Sequence, residues 1–268
     1  MKNVWLIFFS ILASFTLQAV PEESFFESFH QDVLPYFAKG SQRVFINPQG
    51  MKLNFYSFTS SQNSKNLVIL PGRTEPGFKY AELVYDLRNL GFNIYLLDHQ
   101  GQGFSERILS DSNKGHIRYF TDYTRDFSEW MKEIVVPETQ NQKRYLFAHS
   151  MGGAVASLYL TQGNKNFTRA VLSSPMMEIN TKPYSEGIGR LLTKVLVLAG
   201  QGKKYAPDRG PYIAENDTLE VNEVTHSEAR FNMSKALFVT WPEIALGGPT
   251  ARWVYQSLKA TKHIDHLA

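Results

Sequence analysis

Tyr145-Leu-Phe-Ala-His-Ser-Met-Gly-Gly-Ala-Val-Ala-Ser157 is the stretch on which the reading of this 268-residue chain turns. Tyr145-Leu146-Phe147 is a short apolar run, the pattern of a buried strand. From Met151 to Tyr159 small and apolar residues continue without a breaker, the pattern of a helix. Ser150 stands between the two, with His149 before it and Gly152-Gly153 after it. Strand and helix approach closely at such a turn, so the residues around the serine must be small. The helix that follows directs its N-terminus, with free N–H groups and partial positive charge, at the serine. A serine so placed is a nucleophile elbow; a serine that merely caps a helix is the plainer reading. The usual motif has glycine two residues before the serine, and here that residue is Ala148, the next smallest side chain.

Outward from the turn, Asn66-Leu-Val-Ile-Leu70 and Asn93-Ile-Tyr-Leu-Leu97 are further apolar runs. They break off into Pro71-Gly-Arg-Thr-Glu75 and Asp98-His-Gln-Gly-Gln-Gly-Phe-Ser105, and Ala170-Val-Leu-Ser-Ser174 is another such run. Helical spacing over 78–90, stopped by Gly91, and over 123–135 alternates with them. Buried strands alternating with helices predict an α/β fold with a mostly parallel sheet covered on both faces. Ahead of them, 43–46 and 52–58 flank Asn47-Pro-Gln-Gly50 as an antiparallel hairpin. Phe25, Phe26, Phe29, Val33, Leu34 and Phe37 mark a short amphipathic helix packed on the domain.

From Pro175 to Pro249 the alternation stops. The span 191–199 is strongly apolar, 205–222 loop-like, and 227–238 helical in pattern; a helix resumes at Trp253. This insertion is expected to cap the active-site end of the sheet. Leu191, Leu192, Val195, Leu198, Phe231, Met233 and Leu237 would line an acyl-chain pocket or pack the cap onto the domain. The expected organisation is a signal peptide at 1–19, a core at 20–175, the cap at 176–249 and a return to the core at 250–268.

A net charge of +3 with dispersed Lys and Arg gives no nucleic-acid signature. No cysteine is present, which excludes disulfides and thiolate metal sites and suits an oxidising compartment. Lys2 precedes the uncharged stretch Val4 to Leu17, then Gln18-Ala19. A positive start, a short apolar run and a small residue before the cut predict a signal peptide cleaved after Ala19, with a retained anchor as the alternative. The expected location is outside the inner membrane, periplasmic or secreted.

Three strand ends converge at Gly72-Arg73, Asp98 to Ser105 and Ala148 to Gly153, and ligands bind beyond the carboxyl ends of parallel strands. Ester hydrolysis needs an activated hydroxyl and N–H donors for the oxyanion. Ser150 supplies the first, and the backbone N–H groups of Met151 and Arg73 the second. Leu70-Pro-Gly-Arg-Thr-Glu75, Lys79-Tyr-Ala-Glu-Leu-Val-Tyr-Asp-Leu87, Leu97-Asp-His-Gln-Gly-Gln-Gly103, Gly115-His116, Ala148-His-Ser-Met-Gly-Gly153 and Gly247-Gly-Pro-Thr250 with Trp253-Val254 resemble the lysophospholipase L2 family, in the monoglyceride-lipase-like branch of the α/β-hydrolases. Ala148 is a familiar variant there, and Gln100 stands where arginine is more frequent. The resemblance implies hydrolysis of the single acyl ester of a lysophospholipid or monoacylglycerol, peripheral membrane contact, and no metal or organic cofactor.

A hydrolase of this fold takes its acid and its histidine after the serine, each on a loop behind a later strand. Downstream of Ser150 the only aspartates are Asp208, Asp217 and Asp265, and the only histidines His226, His263 and His266. None follows a buried run: 259–264 is no strand, and His263 and His266 read as surface residues of a short linker. His149 adjoins Ser150 on a strand end, where neighbouring side chains point oppositely. The resemblance implies two further strands and a closing helix, so a chain shortened at its C-terminus and impaired in catalysis is expected. A non-catalytic lipid- or partner-binding module is the competing reading.

Overall fold

The computed structural model describes residues 19–60, 65–140, 142–222 and 224–266. The apolar leader read at 1–19 lies outside them apart from Ala19. No helix among the described residues is long and apolar enough to cross a membrane.

The strands are β1 (Ser41–Ile46), β2 (Lys52–Phe58), β3 (Lys65–Leu70), β4 (Phe92–Leu97), β5 (Lys143–His149) and β6 (Arg169–Ser173), in the order β1-β2-β4-β3-β5-β6. The β1–β2 hairpin and the β2–β4 pair are antiparallel, whereas β4, β3, β5 and β6 run parallel. All four parallel strands therefore end on the same side, carrying Leu70, Leu97, His149 and Ser173 to one edge of the fold. β6 lies at the border of the sheet, with Val171 58% exposed.

The alternating side chains of the strands feed two cores. Phe55, Val68, Leu70, Leu97 and Leu146 meet α3 (121–138), α4 (Met151–Thr161) and α7 (Ala251–Asp265) on one face. Tyr56, Phe58, Ile69, Ile94 and Leu96 meet α1 (25–37) and α2 (77–86) on the other. Helix α1 runs through a wide turn at Phe29–Val33 and buries Phe25, Phe29, Val33 and Phe37 while leaving Phe26 exposed, as an amphipathic helix should. Each such side chain contributes roughly 1.5–3 kcal/mol on burial.

Between β6 and α7 the chain forms α5 (Glu186–Leu198), two short turns, α6 (Glu228–Thr240) and a third short turn at Pro242–Ile244. This segment lies over the strand ends, and cavities remain beneath it. Helix α6 is fastened to the rest by Arg230, which forms ion pairs with Glu82 of α2 and with Glu22. Helix α5 packs on α7. Two expectations change here. Residues 259–265 continue α7 rather than forming a linker, since Ala260, Thr261 and Ile264 are buried at helical spacing, although His263 is exposed as read. Leu191, Val195 and Leu198 neither pack nor line a pocket: they are 63%, 53% and 77% exposed, because α5 turns Gly189 and Thr193 inward instead.

Candidate active site

Ser150 adopts φ +48° and ψ −116°, between the last residue of β5 and the first of α4. A β-carbon in that region is strained by about 1–3 kcal/mol, and surrounding bonds must hold it there. Ser150 N–H donates to Ser173 O at 3.1 Å, and Ser150 O accepts from Met176 N at 2.9 Å and Ala154 N at 3.2 Å. The glycines after it are there for space. A Cβ on Gly152 would stand 2.3 Å from Leu70 O, and one on Gly153 would stand 2.6 Å from Pro175 Cβ.

Four non-glycine residues among the described ones have positive φ: Thr74, Ser150, Ser174 and Asp208. Thr74, Ser150 and Ser174 sit just beyond the ends of β3, β5 and β6, and Asp208 comes from the overlying segment. Strain gathered in this way is the mark of a site whose geometry is fixed by its surroundings.

The loop after β3 is held at several points. Gly72 N–H and Tyr80 OH each donate to Glu75 Oε2 at 2.7 Å, and Lys79 Nζ lies 3.1 Å from Glu75 Oε1. Burial opposes ionisation of Glu75, yet Lys79, Tyr80, His149 and the Gly72 N–H outweigh it, so its carboxyl lies below the ordinary range. Gln102 Nε2 donates to Gly72 O at 2.8 Å. His99 Nε2 donates to Pro71 O at 3.2 Å, and burial draws its pKa down to about 4, so the ring is neutral. Held in this way, the backbone N–H groups of Arg73 and Met151 donate no hydrogen bond among the described residues.

His149 and Ser150 open into different spaces. Ser150 lines a cavity of about 350 Å³ with Arg73, Leu192, Asp208, Arg209 and Trp253. His149 lines a second one of about 460 Å³ with Glu75, Phe78, Phe231, Met233 and Leu237, and its Nδ1 stands 3.1 Å from Ser173 O. The opposite orientation expected of neighbours on a strand therefore holds, and His149 is not hydrogen-bonded to Ser150. Of the expected acyl-pocket residues, Leu192 borders the first cavity, and Phe231, Met233 and Leu237 the second. Ser150 Oγ forms no hydrogen bond with any described residue. Asp217 accepts from Tyr212 OH in the second cavity, His226 is exposed, and Asp265 and His266 lie at the exposed end of α7.

Sequence reading missed the position of Asp208 and Arg209. They lie in an irregular stretch with no periodicity to place them, and only the fold brings them beside Ser150. The Gly115-His116 and Gly247 to Thr250 motifs prove to be one joint. Gly115 N–H donates to Gly248 O, Thr250 N–H donates to Gly115 O, and Thr250 Oγ1 caps α7 by accepting from Trp253 N. His116 Nδ1 lies 2.9 Å from the same Thr250 hydroxyl, with burial lowering its pKa to about 4.

Comparison with known proteins gives consistent findings. Residues 61–268 match the family described as serine aminopeptidase, S33. The chain is 32% identical over 229 residues to lysophospholipase L2 of Escherichia coli K12, covering 85% of this chain but 66% of that protein, just under two thirds of its length. It is 32% identical over 246 residues to the probable lysophospholipase L2 of Haemophilus influenzae, covering 89% of this chain and 76% of that one. In fold it resembles a thermostable carboxyl esterase of Bacillus coagulans, with a TM-score of 0.63 and 16% identity over 84% of this chain and 73% of the esterase. With the strand order, the turn at Ser150 and these matches in agreement, the chain belongs to the lysophospholipase L2 family of α/β-hydrolases.

Proposed function

We propose that the chain serves the hydrolysis of single-chain acyl esters, lysophospholipids first and monoacylglycerols second, with Ser150 as the residue acylated. Ser150 Oγ would attack the ester carbonyl, and the oxyanion would be met by the N–H groups of Met151 and Arg73. The glycerol-bearing alcohol leaves with the proton taken from the serine, and water then releases the fatty acid and restores the hydroxyl. The observation that carries this reading is the strained Ser150 lining a partly apolar cavity with Arg73, while the backbone N–H groups of Arg73 and Met151 donate to no described residue.

One feature favours the second reading, a lipid-binding module without turnover: no described histidine or carboxylate bonds Ser150 Oγ. A serine without its base forfeits a factor on the order of 10⁴ to 10⁶. We therefore expect the 268-residue chain to hydrolyse lysophosphatidylcholine slower than the Escherichia coli relative by such a factor. Equal rates would refute the impairment. Lipid binding with no modification of Ser150 would leave the binding module standing alone.

The N-terminal leader supports export, and the apolar outer face of α5 supports peripheral contact with a membrane. Mass analysis of the protein recovered from the periplasm tests the former: a chain beginning at Val20 is expected, and an intact Met1 in the cytoplasm would contradict it.

A further inference from the structure

The cavity at Ser150 is lined by two arginines that have no acidic partner, and the proposed chemistry does not use their side chains. Arg73 stacks on Trp253 with its guanidinium 5.2 Å from the ring centroid, and its Nη2 donates to Gly247 O. Those contacts occupy one face and one nitrogen. Its Nε is buried with no partner, and its Nη1 bonds no described residue. Arg209 is anchored alongside, its Cβ against Gly248, and it forms no ion pair with any described residue. Each arginine lies close enough to the other for repulsion to count. Burial first, and the Arg209 charge after the partial relief given by Tyr123, pull Arg73 down to about 10, so it still carries its charge at neutral pH.

Two arginines that line one cavity without an acidic partner favour the binding of an anion there. The candidates on the protein are few. Asp208 borders the same space but is not within ion-pairing distance of either guanidinium, and Lys182 adds a third cation. Met176, Leu192 and Val254 give the lining apolar surface, beside the uncharged polar side chains of Asn180, Thr181 and Thr193. The cavity thus brings cationic and apolar residues together with Ser150.

We propose that Arg73 and Arg209 form a phosphate-binding subsite that selects esters carrying an anionic phosphodiester over neutral glycerides of the same chain. This rests on the reading of Ser150 as the acylated residue only for its consequence in catalysis, since the anion site itself is a matter of binding. A guanidinium meets a phosphate with two parallel N–H donors, which an ammonium cannot do. In a lysophospholipid the phosphate lies one glycerol away from the ester. A phosphate held here leaves the carbonyl at Ser150 and the chain against the apolar wall.

The test is binding of two non-hydrolysable ligands with one alkyl chain, 1-O-hexadecyl lysophosphatidylcholine and 1-O-hexadecylglycerol. Both are followed by tryptophan fluorescence below their micelle concentrations on the full 268-residue chain. The phosphate ligand is expected to bind about tenfold tighter or more. Arg209→Gln should remove that preference while leaving the affinity for hexadecylglycerol unchanged. Arg209→Lys should restore it in part, which separates charge from fork geometry. Equal affinities in the parent chain, or a preference that survives Arg209→Gln, overturns the proposal. Inorganic phosphate competing as strongly as the lipid would overturn the headgroup assignment and leave a site for free phosphate. Modification of Ser150 by a fluorophosphonate, measured in parallel, keeps the two claims apart. Its absence with the preference intact removes the hydrolase reading alone, and its presence without the preference removes the subsite alone.

Discussion

Gly152 shows how narrow the tolerances at Ser150 are. An added Cβ there would lie 2.3 Å from Leu70 O and 2.6 Å from Pro71 O, both backbone atoms that cannot swing aside. Gly152→Ala should therefore displace the loop that carries Arg73 and destabilise the fold by about 1–3 kcal/mol, read as a lowered urea midpoint; an unchanged midpoint would contradict the close approach. Gln100 has a legible consequence too. Its amide and that of Asn47 both donate to the buried carboxylate of Asp126, and burial pushes that carboxyl from 3.8 up to about 6. The raised value means the folded state holds a proton that the unfolded chain has lost. Stability should accordingly fall as pH rises from about 4 to about 6, by roughly 2–3 kcal/mol at most. Asp126→Asn should flatten that fall, so that the variant gains on the parent between pH 4 and pH 7. A difference between the two that is the same at every pH would count against the buried carboxyl. The small residues around Ser150 were readable from sequence because sterics act locally; the partner of Gln100 was not, since Asp126 lies on a separate helix.

At the scale of elements, continuous apolar runs located the parallel strands to within a residue or two, because strands such as β3 and β4 bury both of their faces, and helical spacing located α1, because it buries one face. What they could not show is what an apolar face meets. Ile188, Leu191, Val195 and Leu198 recur at helical spacing on α5, and all four are more than half exposed. Lys194 on the same helix, and Lys203 and Lys204 just after it, are also exposed. An apolar stripe bordered by cations suits the surface of an anionic bilayer. Co-sedimentation with vesicles containing phosphatidylglycerol should weaken about tenfold or more in the double variant Leu191→Ser with Leu198→Ser, and should weaken with added salt. Unchanged sedimentation would remove α5 as the contact. The same limit explains α7, where 259–265 looked like a linker because its buried residues are mostly small or polar.

For the whole molecule, the order β1-β2-β4-β3-β5-β6 is what makes distant text local. Gly72, Ser150 and Ser174 come together because parallel strands end on one side, and a sequence reader can infer that from alternation alone. Asp208 and Arg209 reach the same cavity from an irregular segment, and no rule of periodicity reaches that far. Ser150 is the residue proposed to be acylated, and no described side chain hydrogen-bonds its hydroxyl as a base. Exposure of the 268-residue chain to a long-chain alkyl fluorophosphonate, with the adduct located by peptide mass, tests this most directly. The predicted result is a single adduct on Ser150, formed slower than on the Escherichia coli relative by a factor on the order of 10⁴ or more. An adduct on another residue, no adduct at all, or labelling as fast as that of the relative would contradict it.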